Sequence, residues 1–126
     1  MASLWQEREK QLLALRERAK RGGGEARMNK QRAAGKLTAR ERLTLLFDPD
    51  TFVEIGELVE SRIDDFGMDE RRVPGDGVVI CYGRVNGRTV CASSEDFTVI
   101  GGTLGEYHSQ KICRIMDMAI DMKCPF

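Results

Sequence analysis

The chain lacks most of the residues that usually announce chemistry. It has one histidine, His108, and four cysteines, Cys81, Cys91, Cys113 and Cys124, none in a C-x-x-C pair. That pattern gives no four-ligand zinc set of ordinary spacing, so no metal is expected. No apolar run is long enough to span a membrane, and residues 1–21 are charged throughout, so neither membrane insertion nor a signal peptide is expected. A cytoplasmic, reducing setting is the default. The cysteines in expected strands and helix (81, 91 and 113) then read as small buried hydrophobes. Net charge is absent too, with 20 basic and 20 acidic residues. The balance is uneven, however: residues 1–46 carry 12 Lys/Arg against 5 Asp/Glu (+7), and residues 47–126 carry 8 against 15 (−7). Either a solvated basic region sits beside an acidic domain, or the basic segment faces something anionic, such as a phosphate-bearing ligand.

What is present is a series of legible local signals. Ser3-Leu4-Trp5-Gln6 has the form of a capping box and predicts a helix from about Ser3. Its apolar stripe, Trp5, Leu12, Leu15 and Ala19, is too thin for a core helix and suits an arm lying on another surface, such as a second subunit. Gly22-Gly23-Gly24 reads as a flexible terminator, because the G-x-x-x-x-G-K-[ST] phosphate-loop pattern is missing. After a polar stretch, Thr38-Ala39-Arg40-Glu41 is a second capping box, opening a helix with Leu43, Leu45, Leu46 and Phe47 that Asp48-Pro49 ends. Phe52–Ile55 is a candidate strand, and about residues 57–74 form a long connection. Val78–Tyr82 and Thr89–Ala92 flank Asn86-Gly87, the pair that most easily supplies a type I′ turn. That turn sets Tyr82 opposite Cys91 and Gly83 opposite Val90. Both faces of the hairpin are apolar, so it should be covered on both sides. Thr103-Leu104-Gly105-Glu106 reads as a third capping box. The helix after it presents Leu104, Tyr107, His108, Ile112, Ile115, Met116, Ala119 and Met122 on one face. On that face His108 reads as a packing residue and the methionines as core filler. Lys123–Phe126 looks like the start of another strand, so the chain reads as truncated.

Taken in order, several motifs identify a family. They are Gly35-Lys36-Leu37-Thr38-Ala39-Arg40-Glu41-Arg42-Leu43, Asp64-Asp65-Phe66-Gly67-Met68, Pro74-Gly75-Asp76-Gly77-Val78-Val79, Asp96-Phe97-Thr98-Val99-Ile100-Gly101-Gly102 and Gln110–Asp117. From about Arg21 onward the chain resembles the N-terminal end of the carboxyltransferase (β) subunit of biotin-dependent acyl-CoA carboxylases of the propionyl-CoA type. Methylmalonyl-CoA decarboxylases and transcarboxylases share the pattern. The resemblance implies an α/β, crotonase-like spiral of ββα units, here its N-terminal portion with an extended helical arm. Residues 1–34 would be arm and glycine-rich linker, and residues 35–126 the start of the carboxyltransferase N-terminal domain.

The implied activity moves a carboxyl group between carboxybiotin and the α-carbon of an acyl-CoA such as propionyl-CoA. Biotin would arrive on a partner, the biotin carboxyl carrier protein or biotin carboxylase subunit. The full-length form would be a homo-oligomer, and no nucleic-acid partner is implied. The family's oxyanion-hole loop, of Asp-Ser-Gly-Gly-Ala-Arg type, falls about one strand beyond residue 126, so the 126 residues alone are expected to be inactive, with no catalytic residue among them. Glu95 stands where many relatives carry Gln. The zinc ribbon of the separate bacterial acetyl-CoA chain is missing, which favours the propionyl-type branch. Candidate acyl-CoA-binding residues are Lys36 and Arg40, for the CoA phosphates, and Gly101 and Gly102, whose backbone N–H groups could meet an anion. Their plainer readings are salt bridges for the cations and a tight turn for the glycines. Ser94 and Asp96 read as loop-fixing hydrogen bonders. An alternative from another class is a stand-alone, non-catalytic assembly module using Trp5 and Leu12 as its contact surface.

Overall fold

The structure, a computed structural model, describes residue 1 and residues 3–126. Its elements run α1 (Leu4–Lys20), α2 (Glu25–Ala33), α3 (Ala39–Leu46), β1 (Val53–Ile55), β2 (Val78–Val85), β3 (Arg88–Glu95) and α4 (Glu106–Met122). Short 3-10 turns lie at Asp65–Gly67, Asp69–Arg71 and Ile100–Gly102.

The three strands form one antiparallel sheet in the order β1-β2-β3. The hairpin register follows from Asn86-Gly87, both with positive φ: Tyr82 pairs with Cys91 and Gly83 with Val90. Because side chains alternate across a strand, this register sends Val79 and Cys81 to one face and Val78, Ile80 and Cys91 to the other. Ala39, Leu43 and Phe47 at the end of α3 cover the first face, with Phe52, Val85, Val90 and Ala92 around them. Ile115 and Ala119 of α4 cover the second, joined by Ile55, Tyr82, Ile112, Met118 and Cys124. The hairpin is therefore a middle layer between two helices. Gly83 is required in it: a Cβ there would sit 2.8 Å from the Phe47 ring and from the Phe52 backbone.

Both N-terminal capping boxes form, at Ser3/Gln6 and Thr38/Glu41. The third does not. Helix α4 starts at Glu106 with Gly105 as its N-cap and no side-chain cap, while the Thr103 hydroxyl donates to the Ile100 carbonyl. The tight turn at Ile100–Gly102 has taken that hydroxyl. Helix α2 occupies the stretch read as merely polar. Its residues are good helix formers with no apolar stripe, so periodicity could not mark it. On α4 the buried residues are His108, Lys111, Ile115 and Ala119, whereas Met116 and Met122 are exposed, as is Leu104, which lies before the helix. Cys113 is exposed as well, against its reading as a buried hydrophobe.

Glycines 22 and 23 do more than end α1. A Cβ on Gly22 would lie 2.2 Å from Asp96 Oδ2, and one on Gly23 would lie 1.8 Å from the Thr98 carbonyl oxygen. The Gly23 amide donates to Thr98 Oγ1 at 2.9 Å. Absent side chains thus let the base of the arm dock on the loop after β3. Beyond Ala19 the arm is uncovered, with Trp5 at 78 % exposure.

Candidate functional site

The docked loop completes a cleft of about 640 Å³ between α2, the turn into α3 and residues 97–98. Arg27, Lys30 and Gln31 of α2 and its C-cap Ala34 line it, at the i, i+3, i+4, i+7 spacing of one helix face. Lys36 and Leu37 line it from the turn, Arg42 from α3, and Phe97 and Thr98 from the loop. Two cations brace the walls: Arg27 Nη1 donates to the Thr98 carbonyl at 3.2 Å, and Arg42 Nη2 donates to the Glu95 carbonyl. Gln31 Nε2 donates to the Leu37 carbonyl at 2.6 Å and holds the turn. Asp96 Oδ1 accepts from the Thr98 amide at 2.9 Å and from its hydroxyl, which fixes the loop.

Four cations line this cleft and no carboxylate does. Among the described residues none of the four forms an ion pair. Phe97 stands at the cleft 65 % exposed. A concave site with convergent uncompensated positive charge and an open aromatic ring can take a polyanion that carries a flat ring.

The sequence-predicted candidates separate. Lys36 lines the cleft. Arg40 points instead to β1, where its guanidinium forms a two-pronged ion pair with Glu54 at 2.7 and 3.0 Å and donates to the Lys20 carbonyl. Gly101 and Gly102 lie in the turn before α4, not at its first residue. The Gly102 amide already donates to Val99 at 2.9 Å. Arg27 enters the sequence reading only beside the glycines of the rejected phosphate loop, and Lys30 and Arg42 are not named there as candidates. The helical spacing of 27, 30, 31 and 34 within the basic segment could have found Arg27 and Lys30, but it does not reach Arg42, which lies on α3.

A second polar group lies under the start of β2. Lys111, buried at 4 % exposure, donates from Nζ to the carbonyls of Gly75 (2.6 Å) and Val78. Burial pushes its pKa down to about 8 against the nearby carboxylates of Glu54 and Asp76, which hold it up. Asp76 is itself raised, mainly by burial, with His108 and Lys111 opposing. His108 Nδ1 meets the Asp76 carbonyl at 2.9 Å; a carbonyl can only accept, so Nδ1 carries the proton. Its buried Nε2 has no partner among the described residues. Ser94 Oγ donates to the Ala39 carbonyl at 3.0 Å and ties α3 to β3. This network braces the fold rather than opening onto the cleft. No group of three or more His, Cys, Asp or Glu placed to hold a metal occurs among the described residues. Nor, among them, is any helix long and apolar enough to cross a membrane.

Comparison with known proteins bears on the family and the fold. The model of the carboxyl transferase domain matches residues 30–126. Over 104 residues the chain is 55 % identical to the methylmalonyl-CoA decarboxylase subunit alpha of Propionigenium modestum, covering 82 % of this chain and 20 % of that one. It is 55 % identical over 106 residues to the mitochondrial propionyl-CoA carboxylase beta chain of Homo sapiens, with the same coverage. A crystal structure of the transcarboxylase 12S hexamer with methylmalonyl-coenzyme A and methylmalonic acid bound superposes with a TM-score of 0.91 at 46 % identity, covering 97 % of this chain and 24 % of that one. The fold and the match together define a carboxyltransferase domain, and the chain belongs to that family. More particularly, it is about half identical to the N-terminal part of the propionyl-CoA carboxylase beta and methylmalonyl-CoA decarboxylase alpha chains, and spans about one fifth of their length.

Proposed function

We propose that these residues form the first ββα unit of a crotonase-like spiral, residues 35–126 opening the domain and residues 1–34 serving as arm and linker. Their part in the chemistry is to hold the phosphorylated end of an acyl-CoA, propionyl-CoA among the candidates. A carboxyl group is then moved between carboxybiotin and the acyl α-carbon by groups outside these residues. The observation that carries this reading is the cleft of Arg27, Lys30, Lys36 and Arg42, which no carboxylate neutralises. CoA offers it several phosphate charges and an adenine ring for Phe97. Arg40 serves indirectly, by fixing the start of α3 against Glu54. Gly101 lends conformational freedom, and with Gly102 shapes the turn after Phe97. Biotin, brought by a carrier or biotin carboxylase partner, would supply the activated carboxyl group; the cationic cleft suits phosphates and not a neutral ureido ring. A homo-oligomer and a cytoplasmic location belong to the same reading.

The test is a calorimetric and NMR titration of the chain with coenzyme A, dephospho-coenzyme A and pantetheine. Weak binding, in the range of hundreds of micromolar, is expected for coenzyme A, falling steeply with salt and in that order of ligands. The double variant Lys36→Glu/Arg42→Glu should abolish it. Equal response to pantetheine, or shifts confined to residues away from the cleft, would sink the assignment.

The exposed arm favours a second reading, a non-catalytic assembly module, because Leu4, Trp5 and Leu13 are all more than half exposed. Sedimentation of the chain before and after Trp5→Ala separates the two: self-association lost in that variant, with no response to coenzyme A, supports the module.

A further inference from the structure

The proposed cleft leaves unused a pair of thiols on the opposite face of the sheet. Cys91 Sγ and Cys124 Sγ lie 3.6 Å apart, within S–H···S contact. Their backbones are also fixed to each other. The Cys91 amide, in the middle of β3, donates to the Pro125 carbonyl at 2.9 Å. The Cys124 amide donates to the Ala119 carbonyl at 3.0 Å, where left-handed Lys123 ends α4. Bond formation needs the sulfurs to close from 3.6 Å to about 2.05 Å, a distance that side-chain rotation can supply. The pair also divides the labour. Cys124 is partly exposed, while Cys91 is fully buried against Ile115 and Ala119.

We infer that Cys91 and Cys124 form a modification site, a dithiol that small-molecule disulfides convert to an intrachain disulfide. The thiolate of Cys124 attacks one sulfur of the reagent, breaking its S–S bond, and a free small thiol leaves with a proton. Cys91 then gives up its proton and attacks Cys124 Sγ, and the second small thiol departs. Two protein thiols are oxidised and one reagent disulfide is reduced to two thiols, so atoms and electrons balance. Burial closes Cys91 to the reagent and, with the neighbouring sulfur, raises its thiol to about 11, so the first attack falls to the partly exposed Cys124. The product staples the end of α4 to β3, an edge strand of the sheet, and closes a loop between residues 91 and 124. Cys81 is buried on the other sheet face, and Cys113 points to solvent from α4. Neither has a second sulfur within contact among the described residues.

The experiment equilibrates the chain with oxidised and reduced glutathione at a series of ratios, quenches it with acid and reads intact mass and proteolytic peptides. The expected result is a loss of two hydrogen masses and a crosslinked peptide joining 91 to 124, retained in Cys113→Ser and lost in Cys124→Ser. Because Cys91→Ser could disturb the core, the exposed-side variant carries the test. Hydrogen exchange at Lys123 and Cys124 should slow in the oxidised form. Glutathione adducts on Cys113 or Cys124, with no 91–124 crosslink at the most oxidising ratio, would overturn the inference.

Discussion

At the scale of single residues, an ion pair, a buried lysine, two buried thiols and one missing side chain decide how the chain holds together. Arg40 and Glu54 are both mostly buried (21 % and 11 % exposed side chains) and satisfy each other through two parallel bonds. Removing one partner strands the other, so Arg40→Ala should cost about 3 kcal/mol in urea denaturation, and Arg40→Lys somewhat less because an ammonium cannot form the fork. Lys111 makes stability depend on pH. Its folded pKa, about 8, lies below the unfolded value near 10.5, so the unfolded chain binds more protons between those limits and stability rises with pH there. Cys81 (about 12) and Cys91 (about 11) act the other way above pH 9, their folded values being raised above 9.0. Midpoints should therefore climb from pH 8 to 9 and then flatten or fall, and Lys111→Met should remove the climb. At Gly23 an added methyl meets the Thr98 carbonyl at 1.8 Å. Gly23→Ala should destabilise by about 2 kcal/mol and weaken coenzyme A binding, because the loop that walls the cleft must move.

At the scale of elements, local chemistry set the start of a helix wherever no stronger contact competed. Thr38 caps α3 with a bond to the Glu41 amide while the Glu41 carboxylate returns to the Thr38 amide. Thr38→Ala should cost about 1 kcal/mol, read as a shift in the denaturation midpoint. The same letters at Thr103–Glu106 gave no cap, since a turn with Ile100 at φ 47° and Gly101 at φ 65° drew the hydroxyl to itself. A capping box is thus a local signal that a tertiary turn can override. Helix α2 shows the converse. Without an apolar stripe it was invisible to periodicity, yet it supplies the largest share of the cleft's lining.

At the scale of the whole molecule, the charge asymmetry of the sequence becomes a place. Of the twelve Lys/Arg before residue 47, Arg16, Lys20, Arg32 and Arg40 form ion pairs, Arg27, Lys30, Lys36 and Arg42 gather at the cleft, and Arg8, Lys10, Arg18 and Arg21 do neither. Raising ionic strength should leave the denaturation midpoint nearly unchanged, because exposed pairs contribute little, while weakening coenzyme A binding several-fold. The arm beyond Ala19 keeps its apolar residues, Trp5, Leu12 and Leu15 among them, in the open.

The sequence by itself determined the hairpin register, because Asn86-Gly87 permits one twist and strand alternation does the rest. It determined the starts of α1 and α3 and the family, which rests on motif order. What only the tertiary structure decided was which cations are free. Lys36 and Arg40 are four residues apart and chemically alike in the chain. Folding gives Arg40 a carboxylate from a strand fourteen residues on and leaves Lys36 none. Such pairings depend on contacts distant in sequence, as do the approach of Gly23 to Thr98 and of Cys91 to Cys124. No local pattern of residues encodes them.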